Sequence, residues 1–82
     1  MKAVVSVTLK PDVLDPQGQA IQHAARSLGY DAVRDVRQGK RFELTLDAAA
    51  DRTAAEALLS ELAEKLLANP VIEDFRVESI EP

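Results

Sequence analysis

The chain has 82 residues, of which 46% are hydrophobic and 29% charged, with ten Lys and Arg against fourteen Asp and Glu for a net charge of −4. That length allows one domain over residues 1–82, burying only roughly 60–65% of its unfolded surface in a single thin core. The absence of cysteine excludes disulfides, thiolate nucleophiles and cysteine-based zinc sites, and one histidine excludes a multi-histidine metal centre. The acidic balance argues against non-specific nucleic-acid binding. No apolar run approaches the ~20 residues of a membrane span.

Residues Lys2 to Lys10 alternate, with Val5, Val7 and Leu9 on one face and Ser6, Thr8 and Lys10 on the other. Period two with β-branched residues predicts a strand buried on one side, and Pro11 stops it. This opening lacks the apolar stretch of a signal peptide, so a cytoplasmic protein is expected. Asp15-Pro16 then predicts a helix start: the carboxylate suits the N-cap, and proline suits the first helical position. Ala20, Ile21, Ala24, Ala25 and Leu28 supply a helical stripe, and Gly29 a stop. Small side chains in the stripe suggest a helix lying close on a sheet.

Two strands are expected over Ala32–Arg37 and Arg41–Leu46, joined by a hairpin turn at Gln38-Gly39. Phe42, Leu44 and Leu46 alternate cleanly. Val33 and Val36 stand three apart, and a bulge would reconcile them with a strand. Asp47–Asp51 reads as a connection. Asp51 or Thr53, the latter with Glu56 in a capping box, starts a second helix running to about Ala68. Ala55, Leu58, Leu59, Leu62, Leu66 and Leu67 give that helix a wide apolar stripe. Asn69-Pro70 ends it, and Val71–Ile80 reads as the last strand, with Phe75 and Val77 on one face.

The order β-α-β-β-α-β predicts an α+β ferredoxin-like plait: a four-stranded antiparallel sheet with two helices on one face. The free face must then be polar or paired, which favours a homo-oligomer.

Catalytic signals are weak. His23 lies off the helical stripe and reads as a surface residue. Glu73 and Asp74 point to opposite faces of a strand, and Asp12 and Asp15 serve a loop and a cap, so neither pair converges for acid–base work. Arg34, Arg37, Lys40 and Arg41 form one basic stretch, suited to a phosphate or an acidic partner surface. Phe42 alone cannot supply the stacking aromatics of an RNA-binding sheet. Gly18, in the first helical turn, costs about 0.5–1 kcal/mol relative to alanine, which suggests a close approach to its backbone.

Four stretches stand in order: Asp15-Pro16-Gln17-Gly18, Gly29-Tyr30, Val36-Arg37-Gln38-Gly39-Lys40, and Leu66-Leu67-Ala68-Asn69-Pro70-Val71-Ile72-Glu73. With the opening Val7-Thr8-Leu9-Lys10-Pro11, they resemble the PurS family, the small subunit of phosphoribosylformylglycinamidine synthase. The resemblance implies a non-catalytic subunit of an ATP-dependent ligase in purine biosynthesis. It would bridge the glutaminase PurQ and the synthetase PurL and assist ammonia transfer. It also implies a homodimer or dimer of dimers through the sheet. This subunit would bind no cofactor or metal itself, while the complex uses ATP, Mg and glutamine. Asp15, Gln17, Gly18, Arg37, Gly39, Lys40, Asn69 and Glu73 become candidate partner contacts, with Arg37 and Lys40 foremost, because a turn needs the glycine but not the cations. Pro16 and Pro70 belong to the same motifs.

Two other readings share the element order. An ACT-like regulatory module would bind an amino acid at a dimer interface, usually fused to an enzyme. An acylphosphatase-like hydrolase needs a loop arginine and an oriented asparagine; Lys10–Gln17 holds no arginine, and Asn69 stands at a helix stop.

Overall fold

The computed structural model describes residues 1–47 and 51–81. Strand β1 (Lys2–Leu9) is followed by helix α1 (Pro16–Ser27), strand β2 (Gly39–Thr45), helix α2 (Arg52–Leu62), a π-helical turn (Ala63–Leu67) and strand β3 (Glu73–Glu81). The strands form one antiparallel sheet in the order β2-β1-β3. Of the predicted Asp47–Asp51 connection, residues 48–50 lie outside the described residues.

The apolar alternation of β1 sets the core. Ala3, Val5 and Val7 are buried, and their cross-strand partners on the same face are Leu44, Phe42 and Lys40 on β2 and Ile80, Val77 and Phe75 on β3. Phe75, Val77 and Ile80 do not alternate in sequence. A bulge resolves this: Val5 pairs with Val77 and Val4 with Ser79, leaving Glu78 as the extra residue. Helix α2 closes this face through Ala55, Leu59 and Ala63, with Leu59 fully buried.

The opposite face is polar, as a solvated face must be. Ser6 donates to Glu78, Lys10 pairs with Asp74 at 2.8 Å, and Arg41 pairs with Glu43.

Asp51, not Thr53, caps α2, accepting from the Ala54 N–H at 2.7 Å. Its last turn is wide: the Ala68 N–H donates to the Ala63 carbonyl five residues back at 2.8 Å. The extra residue rotates the positions after it by roughly one 100° step. Leu67 therefore packs against the core, and Leu66 turns outward at 72% exposure.

The predicted plait needs three corrections. There are three described strands, not four: residues 31–32 form a turn, and residues 33–38 have no regular structure and pair with no strand. Consequently Gln38-Gly39 is not a hairpin turn; Gly39 opens β2, which pairs with β1. Only α2 covers the sheet. Helix α1 and the 31–38 segment project as an arm, and the molecule measures 50 × 26 × 14 Å. Its radius of gyration is 16.0 Å, against about 12 Å for a compact chain of this length.

Local chemistry explains the arm. Helix α1 starts as predicted, with Asp15 accepting from the Gly18 N–H at 2.9 Å. It ends in a Schellman turn: Gly29 adopts φ +96, and the Tyr30 N–H reaches the Ala25 carbonyl. The chain then runs back along the helix. Val33 and Val36 are half-buried, the Val33 carbonyl accepts from Gln22, and the Val36 carbonyl lies against Gly18. Their spacing of three serves a helix surface, not a strand. The stripe of Ile21, Ala24 and Leu28 is left open, with Ile21 at 47% and Leu28 at 76% exposure.

Leu59→Ala removes the largest fully buried side chain. Urea denaturation should show a loss of about 2–5 kcal/mol, a large share of the stability of so small a domain.

Candidate functional site

The residues singled out along the sequence converge where the arm leaves the sheet. Asp15 is the hinge pin. It is buried, and its two oxygens accept from different segments: Oδ1 from the Gly18 N–H at 2.9 Å and Oδ2 from the Gln38 N–H at 2.7 Å. These hydrogen bonds, the one from Gly18 first, hold its carboxyl below the usual carboxylate range; the Arg37 charge adds to this, and burial opposes it.

Arg37 braces the other side. Its Nη2 donates to the carbonyls of Lys10 at 2.9 Å and Val13 at 2.8 Å, tying the return segment to the loop after β1. Gly18 permits the close packing suggested by its position: a Cβ there would fall on the Val36 carbonyl. The close approach comes from the chain itself. Gly39 answers the same need on β2, where a Cβ would stand 2.6 Å from the Val7 carbonyl oxygen.

A cleft of about 180 Å³ opens beside this joint, lined in part by Asp15, Gln17, Gln38, Gly39, Lys40 and Glu73. Gln38 donates to Gln17 across its mouth at 2.7 Å, and Lys40 faces Glu73 at 3.4 Å. Lys40 also lies over the Phe42 ring at 5.8 Å. Glu73 extends the network to the end of the π-helical turn. It accepts from the Asn69 N–H at 2.8 Å, while the Asn69 side chain accepts from the Val71 N–H at 3.0 Å. Asp15, Gln17, Gly18, Arg37, Gly39, Lys40, Asn69 and Glu73 thus gather around one joint, while the Gly29-Tyr30 motif stands at the far end of α1.

Of the basic stretch, Arg34 is exposed and the other three cations have partners within the chain. Arg37 is committed to carbonyls, Lys40 to Glu73, and Arg41 to Glu43 on the outer sheet face. His23 is exposed on α1, as its wheel position implied. Glu73 and Asp74 diverge, Glu73 toward Lys40 and Asp74 toward Lys10. Sequence reasoning missed Gln38 as a joint residue and Lys10 as a brace. Gln38 acts through its backbone N–H, which no side-chain pattern reveals. Lys10 and Asp74 carry opposite charges on two strands predicted to share a sheet, which was the available signal. Among the described residues, no group of three or more His, Cys, Asp or Glu is placed to hold a metal ion, and no helix is long and apolar enough to cross a membrane.

The geometry defines a small α+β scaffold that commits these motif residues to bracing a projecting arm. Comparison with known proteins gives the family. The family described as PurS, phosphoribosylformylglycinamidine (FGAM) synthase, matches residues 2–81. The chain is 54% identical over 77 residues to the phosphoribosylformylglycinamidine synthase subunit PurS of Bacillus subtilis, covering 94% of this chain and 89% of that one. The solved structure of B. subtilis PurS superposes with a TM-score of 0.83 at 51% identity, covering 98% of each chain. A chain of the structure of PurLQS from Thermotoga maritima superposes with a TM-score of 0.82 at 27% identity, covering 98% of this chain and 99% of that one. The chain belongs to the PurS family.

Two outcomes test the joint. Arg37→Ala should cost about 1 kcal/mol for the lost bonds and speed amide hydrogen exchange in residues 16–38, with β1 and β3 still protected. Because the folded state holds Asp15 below its usual range, the stability it contributes is complete above the unfolded value of about 3.9 and is lost as pH falls through the folded value. Denaturation from pH 7 to pH 3 should therefore show a steeper acid loss in wild type than in Asp15→Asn.

Proposed function

We propose that this chain is the bridging, non-catalytic subunit of a phosphoribosylformylglycinamidine synthase complex. The observation that carries this reading is the family match over residues 2–81, together with near-complete superposition on a chain of a PurLQS structure. In this reading PurQ releases ammonia from glutamine, and PurL uses ATP to activate the amide oxygen of formylglycinamide ribonucleotide. Ammonia then displaces phosphate to give the amidine. ATP, Mg and glutamine are bound by those larger subunits in the cytoplasm.

The shape supports a bridge. A body and an arm along a 50 Å axis give one small chain two separated contact regions. The joint between them supports a fixed angle, because Asp15 and Arg37 each tie two segments together. The chain acts as a homodimer or a dimer of dimers. The open edges of β2 and β3 are suited to sheet pairing, whereas the polar outer face is already braced by its own ion pairs. The amino-acid-binding module of the ACT type has no observation in its favour, because the described strands lack one of the four in the β-α-β-β-α-β order it would share.

Co-purification tests the reading. The chain is mixed with PurL and PurQ, with and without ADP, Mg and glutamine, and glutamine-dependent amidine formation is assayed. A stable ternary complex with activity dependent on this chain is expected. Full activity without it would overturn the reading. Lys40→Ala should leave the isolated subunit folded, because the Lys40 ammonium is half-exposed and an ion pair near the surface contributes only about 0–1 kcal/mol, while weakening capture of the large subunit.

A further inference from the structure

The turn from Asn69 to Glu73 holds its own shape and shows apolar side chains to solvent. Every backbone N–H in it has an acceptor. The Asn69 N–H donates to Glu73 Oε1 at 2.8 Å and the Val71 N–H to Asn69 Oδ1 at 3.0 Å. The N–H groups of Ile72 and Glu73 donate to the Asn69 carbonyl at 3.1 and 2.7 Å, and Pro70 has none to satisfy. The Ile72 carbonyl accepts from the Lys10 N–H at 2.9 Å, which ties the turn to the chain just past β1. None of these bonds uses the side chains at positions 71 and 72. Yet Val71 is 78% exposed and Ile72 39%, at positions where a solvated turn carries Gly, Asn, Asp or Ser.

A cleft of about 310 Å³ opens beside the turn. Ala68, Pro70 and Phe75 form its apolar wall, and its polar wall sets Glu64, Glu73 and Asp74 against Lys10. Glu73 is engaged by Lys40 and the Asn69 N–H, and Asp74 by Lys10. Glu64 is exposed and forms no ion pair among the described residues. An apolar wall ending at an unpaired carboxylate suits a lysine or arginine side chain, which lays its stem on apolar surface and keeps its charge at the polar edge. A second copy of this chain is the poorer occupant. A two-fold contact through the turn would set the three carboxylates against their own kind.

We propose that the Asn69–Glu73 turn is a docking point for a different chain, one with an apolar recess edged by a lysine or arginine. Val71 and Ile72 enter the recess. The partner's cation lies in the cleft, its stem on Pro70 and Phe75 and its charge on Glu64. This rests on the bridging reading above and names one of its contacts, at the end of the sheet rather than on the arm. The turn is set before the encounter, so little backbone freedom is lost on docking.

The full chain is immobilised, and binding of PurL and PurQ is measured by interferometry with ADP, Mg and glutamine present. Val71→Asp should weaken capture about ten-fold, as loss of an apolar anchor at an interface does. Val71→Ser, a residue that solvated turns accept, should weaken it less and covers the case in which the aspartate disturbs the turn. Glu64→Gln should weaken capture about three-fold and flatten its dependence on salt, because one charge pair is lost. Circular dichroism and light scattering should match wild type for all three. A wild-type chain that captures neither subunit overturns the bridging reading, and this contact with it. Capture by wild type that is unchanged in Glu64→Gln, or in both Val71 variants, overturns the contact alone. Weakened capture that comes with a changed oligomeric state assigns the turn to contact between copies and also overturns it.

Discussion

The architecture depends on one carboxylate. Asp15 starts α1 as any N-cap aspartate does, but its second oxygen takes the Gln38 N–H from the segment that returns to β2. A single buried acceptor thus fixes both the departure and the return of the arm. A neutral cap of the same size offers one good acceptor, and the second donor would be left buried without a partner. Proline at the first helical position and glycine at Gly18 make the geometry possible, one by needing no N–H there and the other by clearing the Val36 carbonyl.

Once the arm is fixed, the rest of the chain must make a core from little. Three strands and one helix bury Ala3, Val5, Val7, Ala55, Leu59, Ala63, Ala68 and Ile80, of which four are alanines. Small side chains bring α2 close to β1 and β3, but they bury little apolar area, and hydrophobic stabilisation scales with that area. The outer face is therefore polar and cross-linked by charge, with Lys10–Asp74 and Arg41–Glu43 spanning positions that a second helical layer would otherwise cover.

Much of this was legible from residue types. The alternation of Val5, Val7 and Leu9, the Asp15-Pro16 start, the Gly29 stop and the Asn69-Pro70 stop each act within a few residues, and local signals survive folding. The glycine at position 18 correctly announced a close approach. What was not legible is where α1 goes. An alanine-rich stripe packs equally well on a sheet of its own chain or on nothing within it, and periodicity cannot tell these apart. The fourth strand failed for a related reason. Val33 and Val36 are β-branched, as a strand prefers, yet their spacing of three matches the surface of a helix, and the carbonyls that a ladder would use are turned to α1 instead. The convergence of residues 15–18, 37–40, 69 and 73 was legible only as an ordered set of motifs; that they share one joint is a property of the register of β1 with its two neighbours.

The size of the chain connects these features to assembly. A domain of roughly 80 residues has barely enough interior to hold itself together, and this one leaves Ile21, Leu28, Leu58 and Leu66 outside that interior. Here the polar joint is complete within one chain, with no buried side-chain nitrogen or oxygen left unpartnered among the described residues, while the apolar surface is only partly covered. Directional bonds set the angle of the arm within the chain, and part of its apolar surface stays open. In general a rigid angle reduces the entropy lost on docking, and apolar burial drives association. The division of labour has a physical origin: hydrogen bonds specify geometry well and contribute modest net stability, whereas apolar burial contributes stability and specifies geometry poorly.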